Sequence, residues 1–365
     1  MKKTLRAGLT GLLLLFFAAA LLLMPDVTTQ AAREGLRLCA QVLVPSLFPF
    51  FVCAKLIVTL RAASPLERLL APAMRRLFGV SAQSSTAFVL GLIGGYPTGA
   101  QVAKNLCSAG SIPKDEARRL VLFCNNAGPA FIFGVVGGGL FGSIGLGALL
   151  YAVHALSAVL TGILLRTSKK KSSPQLASKA AADVPPTPPF AAAFVECVQQ
   201  SGMAVLNVCM FVTAFSVFSG ILQSLTQSLL PDFAFALLTG MLELTGGVAA
   251  LGGCALPVSI KLAASSFLLA FSGLSICAQT ASILSREGLF PRGYLFVRLL
   301  QGLIAAVLAL AAAAVLRVDS MAVQASAVSA DSLLFPLLAL IWTACGIICL
   351  ICRKVSYGNC TRHRV

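Results

Sequence analysis

Two distant stretches of this chain carry the same interrupted membrane pattern. Leu90–Pro113 reads LGLIGGYPTGAQVAKNLCSAGSIP, and Leu268–Pro291, 178 residues later, reads LLAFSGLSICAQTASILSREGLFP. Eight of the 24 positions are identical without a gap: Leu90/Leu268, Gly95/Gly273, Ala100/Ala278, Gln101/Gln279, Ala103/Ala281, Leu106/Leu284, Gly110/Gly288 and Pro113/Pro291. Each is an apolar segment broken by Gly and small polar residues. Backbone at membrane depth must find hydrogen-bond partners, so a broken segment is buried in protein or lines a polar cavity. Breaks at corresponding places in two halves point to the binding site of a secondary transporter. The pair predicts two inverted-topology repeats, each with a discontinuous or re-entrant helix segment.

The chain's composition sets it in lipid. It has 365 residues, 58% hydrophobic and 11% charged, against about 45–50% and about 25% in soluble domains. The apolar runs are long and do not alternate, which selects an all-α polytopic membrane protein over a barrel. The net charge of +16 comes from Lys and Arg at helix ends, as the positive-inside bias expects. No aromatic-interleaved basic surface accompanies it, so the expected partner is the lipid bilayer and not nucleic acid. Most of the 12 Cys lie in apolar segments, as at Cys53, Cys124, Cys209, Cys345 and Cys349, and read as small buried hydrophobes. Cys349 and Cys352 form a CxxC without a second pair, so neither metal nor cofactor is expected. HExxH, P-loop, GxSxG and strand-linked GxGxxG motifs are absent, and no enzyme is expected.

Residues 1–37 read as an N-terminal transmembrane helix and loop: MKKTLR precedes an apolar run, Ala7–Met24, without a prompt cleavage site. Residues 38–166 form the first repeat. It contains a span over Leu38–Leu60 with Pro45 and Pro49, an amphipathic interfacial stretch Pro65–Phe78, the broken segment Ser84–Gly110, Leu120–Gly142 interrupted at Asn125–Pro129, and Ser143–Leu165 with His154. Residues 167–189, Lys- and Pro-rich, read as a disordered cytoplasmic linker. Residues 190–352 form the second repeat, with segments Ala204–Leu225, Phe233–Leu251, Ile260–Ser285, Tyr294–Leu316 and Ser332–Cys352; residues 353–365 are a basic tail. With basic residues on both flanks, Ser84–Gly110 is expected to enter and leave on one side as a re-entrant hairpin; counting the other segments as crossings then leaves that tail outside, against the positive-inside bias. Phe233–Leu251 is the suspect crossing.

The candidate substrate-binding residues cluster at the breaks. Gly94, Gly95 and Thr98 in one copy, and Ser272, Gly273 and Ser275 in the other, free backbone N–H groups at half-helix N-termini, which attract anions. The bland alternative is close helix packing through small residues. Gln101 and Gln279 occupy matching positions, and are expected to face each other across one anion site or to tie helices together. Asn125 and Asn126 supply amides that must face a cavity or partners. Glu243 is the acidic residue deep in an apolar segment: a candidate for coupling to H+ or Na+, or an ion-pair partner of Arg298 or Lys261. The expected ligand is a small-molecule anionic substrate. The sequence leaves room for a coupling ion and for a homo-oligomer.

Five motifs in order, SLFPFF (Ser46–Phe51), GGYPTGAQ (Gly94–Gln101), NNAGPAFIFG (Asn125–Gly134), MLELTGG (Met241–Gly247) and FSGLSICAQ (Phe271–Gln279), give the chain its resemblance. It resembles the sporulation integral membrane proteins of the YlbJ (SpoVV) family, of the nucleoside-recognition or Gate domain superfamily, from about Leu38 to Leu316. The resemblance implies a multi-pass protein of the cell membrane, or of the outer forespore membrane, that acts in endospore formation. It implies a link to the spore cortex and to moving dipicolinic acid from the mother cell toward the forespore. The same scaffold suits a nucleoside or other polar-solute carrier. A non-transporting membrane protein needed for cortex assembly is the third reading.

Overall fold

A computed structural model describes residues 2–60, 62, 64–166, 188–226 and 229–319. Linker residues 167–187, the apolar segment 332–352 with Cys349 and Cys352, and the tail 353–365 lie outside them.

The entry is a bent pair. Helix α1 (Lys2–Leu23) meets α2 (Pro25–Leu38) at Met24, and Leu14–Leu23 stands at 99° to Pro25–Gln41. Pro25 occupies the first turn of α2, where its missing N–H costs nothing. A π-turn, Cys39–Leu43, carries α2 into α3 (Val44–Thr59); α4 (Ser64–Ala73) follows, ending in a π-turn at Met74–Phe78. The long helix α9 (Phe190–Thr226) runs antiparallel to this arm. Gly35 lies against Ser216 and Gly220 against Ala31, while Thr59 Oγ1 is 3.8 Å from Cys197 Sγ at the other end. Small residues on both sides let the backbones close up, as membrane helices do.

Two units of the same element order follow. The first is a helical hairpin, α5 (Ser84–Gly94) with α6 (Thr98–Ser108); then α7 (Lys114–Cys124), a break, and a π-helix over Ala130–Leu140; then α8 (Ile144–Leu164). The second is a hairpin, α10 (Asp232–Leu242) with α11 (Leu244–Gly253); then α12 (Val258–Phe271), a break, and α13 (Gly273–Leu284); then α14 (Tyr294–Leu316). Corresponding elements begin 148, 144 and 150 residues apart. Glycine makes both hairpins close. A Cβ on Gly91 or Gly99 would stand 1.8 or 2.1 Å from the carbonyl oxygen of Cys124, and one on Gly247 would stand 2.0 Å from Gly240 Cα. Phe78, Phe88 and Phe123 pack the core beside the first hairpin, with centroids 5.0–5.8 Å apart.

Contacts between turns fix the sides. On one face, Lys104 pairs with Glu287 at 3.2 Å, Ser108 donates to Glu287, Arg118 donates to the Gly288 carbonyl and Lys55 donates to Gln200. On the other, Gly252 lies against Leu140 and the Ser259 N–H donates to Asp319 at 2.8 Å. The first hairpin therefore enters and leaves on the face bearing Lys104, Lys114, Arg118, Arg286 and Arg292. Two crossings return to that face at Arg166, α9 crosses again, and the second hairpin enters from the opposite side. The units are oppositely oriented. Among the described residues four helices are long and apolar enough to cross a membrane, or five if the bent pair is one span. Met203, Leu206 and Met210 on α9 and Leu303, Val307 and Leu310 on α14 point outward, as a lipid-facing surface requires.

Two expectations change. Phe233–Leu251 is a hairpin that turns back at Glu243, not a crossing. That takes one crossing out of the sequence count; the segment 332–352 and the basic tail lie outside the described residues. Second, the two similar stretches are not structural equivalents: α5 and α6 fold back on each other, whereas Val258–Glu287 passes as one 30-residue span. Helices α6 and α13 run in the same direction, toward the basic face. Inverted repeats demand that equivalents run oppositely, so the sequence match is a local likeness.

Candidate functional site

Each unit rests its hairpin tip on the break of its own span. In the first, α5 stops at Gly94; Gly95 has φ +77°, and the Tyr96–Pro97 peptide is cis before α6 begins. The second break, Asn125–Pro129, lies beneath it: a Cβ on Gly95 would meet the Gly128 nitrogen at 2.9 Å. In the second unit, Ser272 and Gly273 have φ +75° and +76°. A Cβ on Gly273 would stand 3.2 Å from the Gly240 carbonyl oxygen and 3.3 Å from that of Leu242. A serine in the left-handed region is uncommon, and such outliers gather at functional sites.

The two units meet on a buried guanidinium. Arg298, in the second turn of α14, is fully buried. Its Nη1 donates to the Asn125 carbonyl at 3.0 Å and to Gln301 Oε1 at 2.7 Å. Its Nη2 donates to the Tyr96 hydroxyl, and its Cζ stands 5.4 Å from the Tyr96 ring centre. The Tyr96 hydroxyl donates in turn to the Leu269 carbonyl at 2.8 Å. Gln301 donates to Asn126 Oδ1 at 3.1 Å, and Asn125 donates to Thr280 and Tyr294, each at 3.0 Å. His154 Nε2 accepts the Ala127 N–H at 3.0 Å, which makes it a bundle histidine serving the break of its own unit.

No carboxylate touches this cation among the described residues; the ion pairs there, such as Lys104–Glu287 and Arg118–Asp115, lie elsewhere. Taking an ion out of water costs several kcal/mol even after relaxation. Neutral dipoles hold Arg298 in place without cancelling its charge. Among the described residues, Arg298 Nε, Ser272 Oγ and Thr98 Oγ1 are buried and have no hydrogen-bond partner. The region is a cation with free donors, held where two broken helices converge.

The predicted residues divide into groups. Asn125 and Asn126 are in the cluster itself. Gly94, Gly95 and Thr98 form the hairpin tip above it, and Ser272 and Gly273 form the facing break. Gln101 and Gln279 are not joined to each other: Gln101 donates to Asn105 at 3.2 Å and Gln279 to Ser275 at 3.3 Å, each within its own helix. Glu243 pairs with neither Arg298 nor Lys261. Its two carboxylate oxygens accept the Thr245 and Gly246 N–H groups at 3.0 and 2.7 Å, capping α11, and Lys261 donates to the Gly252 carbonyl. Sequence reasoning considered Arg298 only as an ion-pair partner of Glu243, and passed over Gln301, Tyr96, Tyr294 and Thr280. The available signal was a Tyr294–Arg298–Gln301 stripe at helical spacing in the most apolar span, since an ionisable residue inside a membrane segment is a site candidate by default.

A second polar region is separate from the first. A cavity of about 670 Å³ opens between α2, α9, α10 and α11, lined among others by Gln30, Glu34, Gln223, Thr239 and Glu243. Among the described residues its lining holds two carboxylates and no Lys, Arg or His, which disfavours anions.

Fold and site together define an all-α, multi-pass integral membrane protein built from two oppositely oriented units whose broken helices converge on one buried cation. Over 323 residues the chain is 31% identical to the sporulation integral membrane protein YlbJ of Bacillus subtilis (strain 168), covering 80% of this chain and 79% of that protein. The chain belongs to the YlbJ family. No protein-family model and no solved structure matches it.

Proposed function

We propose that this chain is a carrier, not an enzyme, for a small organic anion in a sporulating cell. The anion is dipicolinic acid, moved from the mother cell toward the forespore across the outer forespore membrane. The observation that carries this reading is Arg298: a guanidinium buried between two broken helices, with no carboxylate partner and a free Nε–H among the described residues. Guanidinium presents a planar donor fork that matches a carboxylate. A planar dianion supplies the charge the cluster lacks and acceptors for its unpartnered donors. A neutral nucleoside supplies acceptors without the charge. A structural protein of the spore envelope has no use for an unpaired charge at membrane depth, where each such group is expensive. The relative's name, a sporulation integral membrane protein, supports the setting.

Uptake of labelled dipicolinate by purified protein in liposomes tests the proposal, with nucleosides as controls. Saturable uptake, competed by unlabelled dipicolinate and not by nucleosides, is the expected result. Uptake no faster than in protein-free liposomes, or preferential nucleoside uptake, overturns it.

A further inference from the structure

Beyond the anion reading, and independent of it, we infer that the acidic cavity between α2, α9, α10 and α11 is a binding site for a monovalent metal cation of Na+ type, centred on Glu243. Four features of the cavity carry the argument.

The first is charge. Glu243 is 5% exposed, and the exposed Glu34 lines the same cavity. The N-terminus of α11 offsets only about half a unit of charge, and among the described residues no basic side chain lines the cavity. The second is the free capacity of the carboxylate. Both Glu243 oxygens accept backbone N–H bonds, and each keeps a further lone-pair direction. The third is a pair of hydroxyls without partners. Thr239 and Ser219, 5% and 9% exposed, both line the cavity, and neither Oγ has a hydrogen-bond partner among the described residues. Thr239 lies one helical turn before Glu243, whose N–H donates to the Thr239 carbonyl at 2.7 Å, and an atom built on Gly246 would be 3.5 Å from both Glu243 Oε2 and Thr239 Cγ2. The fourth is ligand type. Carboxylate and hydroxyl oxygens are hard donors that suit a hard cation and not a soft metal. Divalent Ca2+ takes six to eight oxygens, usually from several carboxylates. One buried carboxylate with neutral oxygens matches a single positive charge.

Thermal unfolding of the full-length protein in detergent, titrated with NaCl against choline chloride at constant ionic strength, tests the site. Wild type should show a saturable upward shift with Na+ and none with choline. Thr239→Val keeps the shape of the side chain and removes the oxygen, and Ser219→Ala does the same at the second hydroxyl. Each should raise the half-saturating Na+ concentration about tenfold, and Glu243→Gln should abolish the response. Should Glu243→Gln fail to fold for want of its cap, the two hydroxyl variants still decide. Absence of a saturable Na+ response, an equal response in all variants, or a stabilisation that follows pH and ignores Na+ each overturns the inference.

Discussion

Replacing Arg298 separates a ligand-binding cation from a structural staple. In Arg298→Gln, the Asn125 carbonyl and Gln301 Oε1 lose their donors, while the Tyr96 hydroxyl keeps its bond to the Leu269 carbonyl. Two orphaned buried acceptors cost about 1–3 kcal/mol each. Against that, the variant escapes the desolvation penalty of an unpaired buried ion, itself several kcal/mol. These opposed effects are similar in size, so folding stability should change by no more than about 2 kcal/mol. Anion affinity has no such compensation. Two charge-assisted hydrogen bonds to a carboxylate are worth about 1.5–3 kcal/mol each, so their loss should weaken apparent affinity roughly 100-fold to 10,000-fold. Arg298→Lys keeps the charge but loses the planar fork, and should fall between. The assay is concentration-dependent uptake at matched protein density, with unfolding temperature measured on the same samples. Wild-type affinity in Arg298→Gln would refute the reasoning. So would a collapse of stability that accounts for the whole loss of uptake, since the residue would then be a staple between Tyr96 and Asn125.

Three further outcomes are expected. Gly91→Ala places a Cβ 1.8 Å from the Cys124 carbonyl oxygen and should destabilise by about 3 kcal/mol or more, whereas Gly134→Ala meets nothing within 4 Å; unfolding temperatures of the two should differ sharply. Because Gln101 and Gln279 each bond within their own helices, losses in anion uptake from Gln101→Leu and Gln279→Leu should be additive, with a coupling below about 0.5 kcal/mol in a double-mutant cycle. A coupling above that would restore a shared ligand. A membrane-impermeant thiol reagent should reach Cys360, left as the sole cysteine, only from the side that bears the linker 167–189; labelling from the other side would break the crossing count.

Much of the architecture was legible because lipid leaves a chain few choices. Length and apolarity alone mark α8, α9 and α14, and the Gly and Pro residues at Gly94–Pro97 and Asn125–Pro129 mark breaks that the backbone then makes. The conflict over the basic tail was also visible, and pointed to the right segment. That Phe233–Leu251 folds back was not, because a ten-residue helix pair and a single crossing have the same apolar composition. What decides is Gly240 against Gly247, a contact between residues that read in sequence as ordinary small residues.

The site was harder for a different reason. The near-copy at Leu90–Pro113 and Leu268–Pro291 drew attention to Gln101 and Gln279, yet the two stretches are alike because they meet the same local demands. Each leaves a glycine at φ near +77°, runs as a helix of eleven or twelve residues toward the basic face, and stops at a left-handed glycine, Gly110 or Gly288, with φ +70° and +66°. A proline follows three residues on. Those are requirements of a break, a half-helix and a stop, and any chain meeting them twice repeats Gly, Ala and Pro at those intervals. The equivalence that matters is in the packing, where a hairpin tip lies on a break: Gly95 on Gly128, and Leu242 on Gly273. Their sequences share little, because opposite orientations put each break beside different neighbours. Asn125 meets Arg298 from the other unit, and among the described residues Ser272 has no matching cation on its side. The fold is nearly two-fold while the charge is not: one guanidinium lies at the junction, and the one deep carboxylate among the described membrane segments, Glu243, caps a hairpin facing a different cavity. A symmetric scaffold with the cation and the carboxylate in separate polar regions can hold an anion at one and a cation at the other without the two charges cancelling each other first.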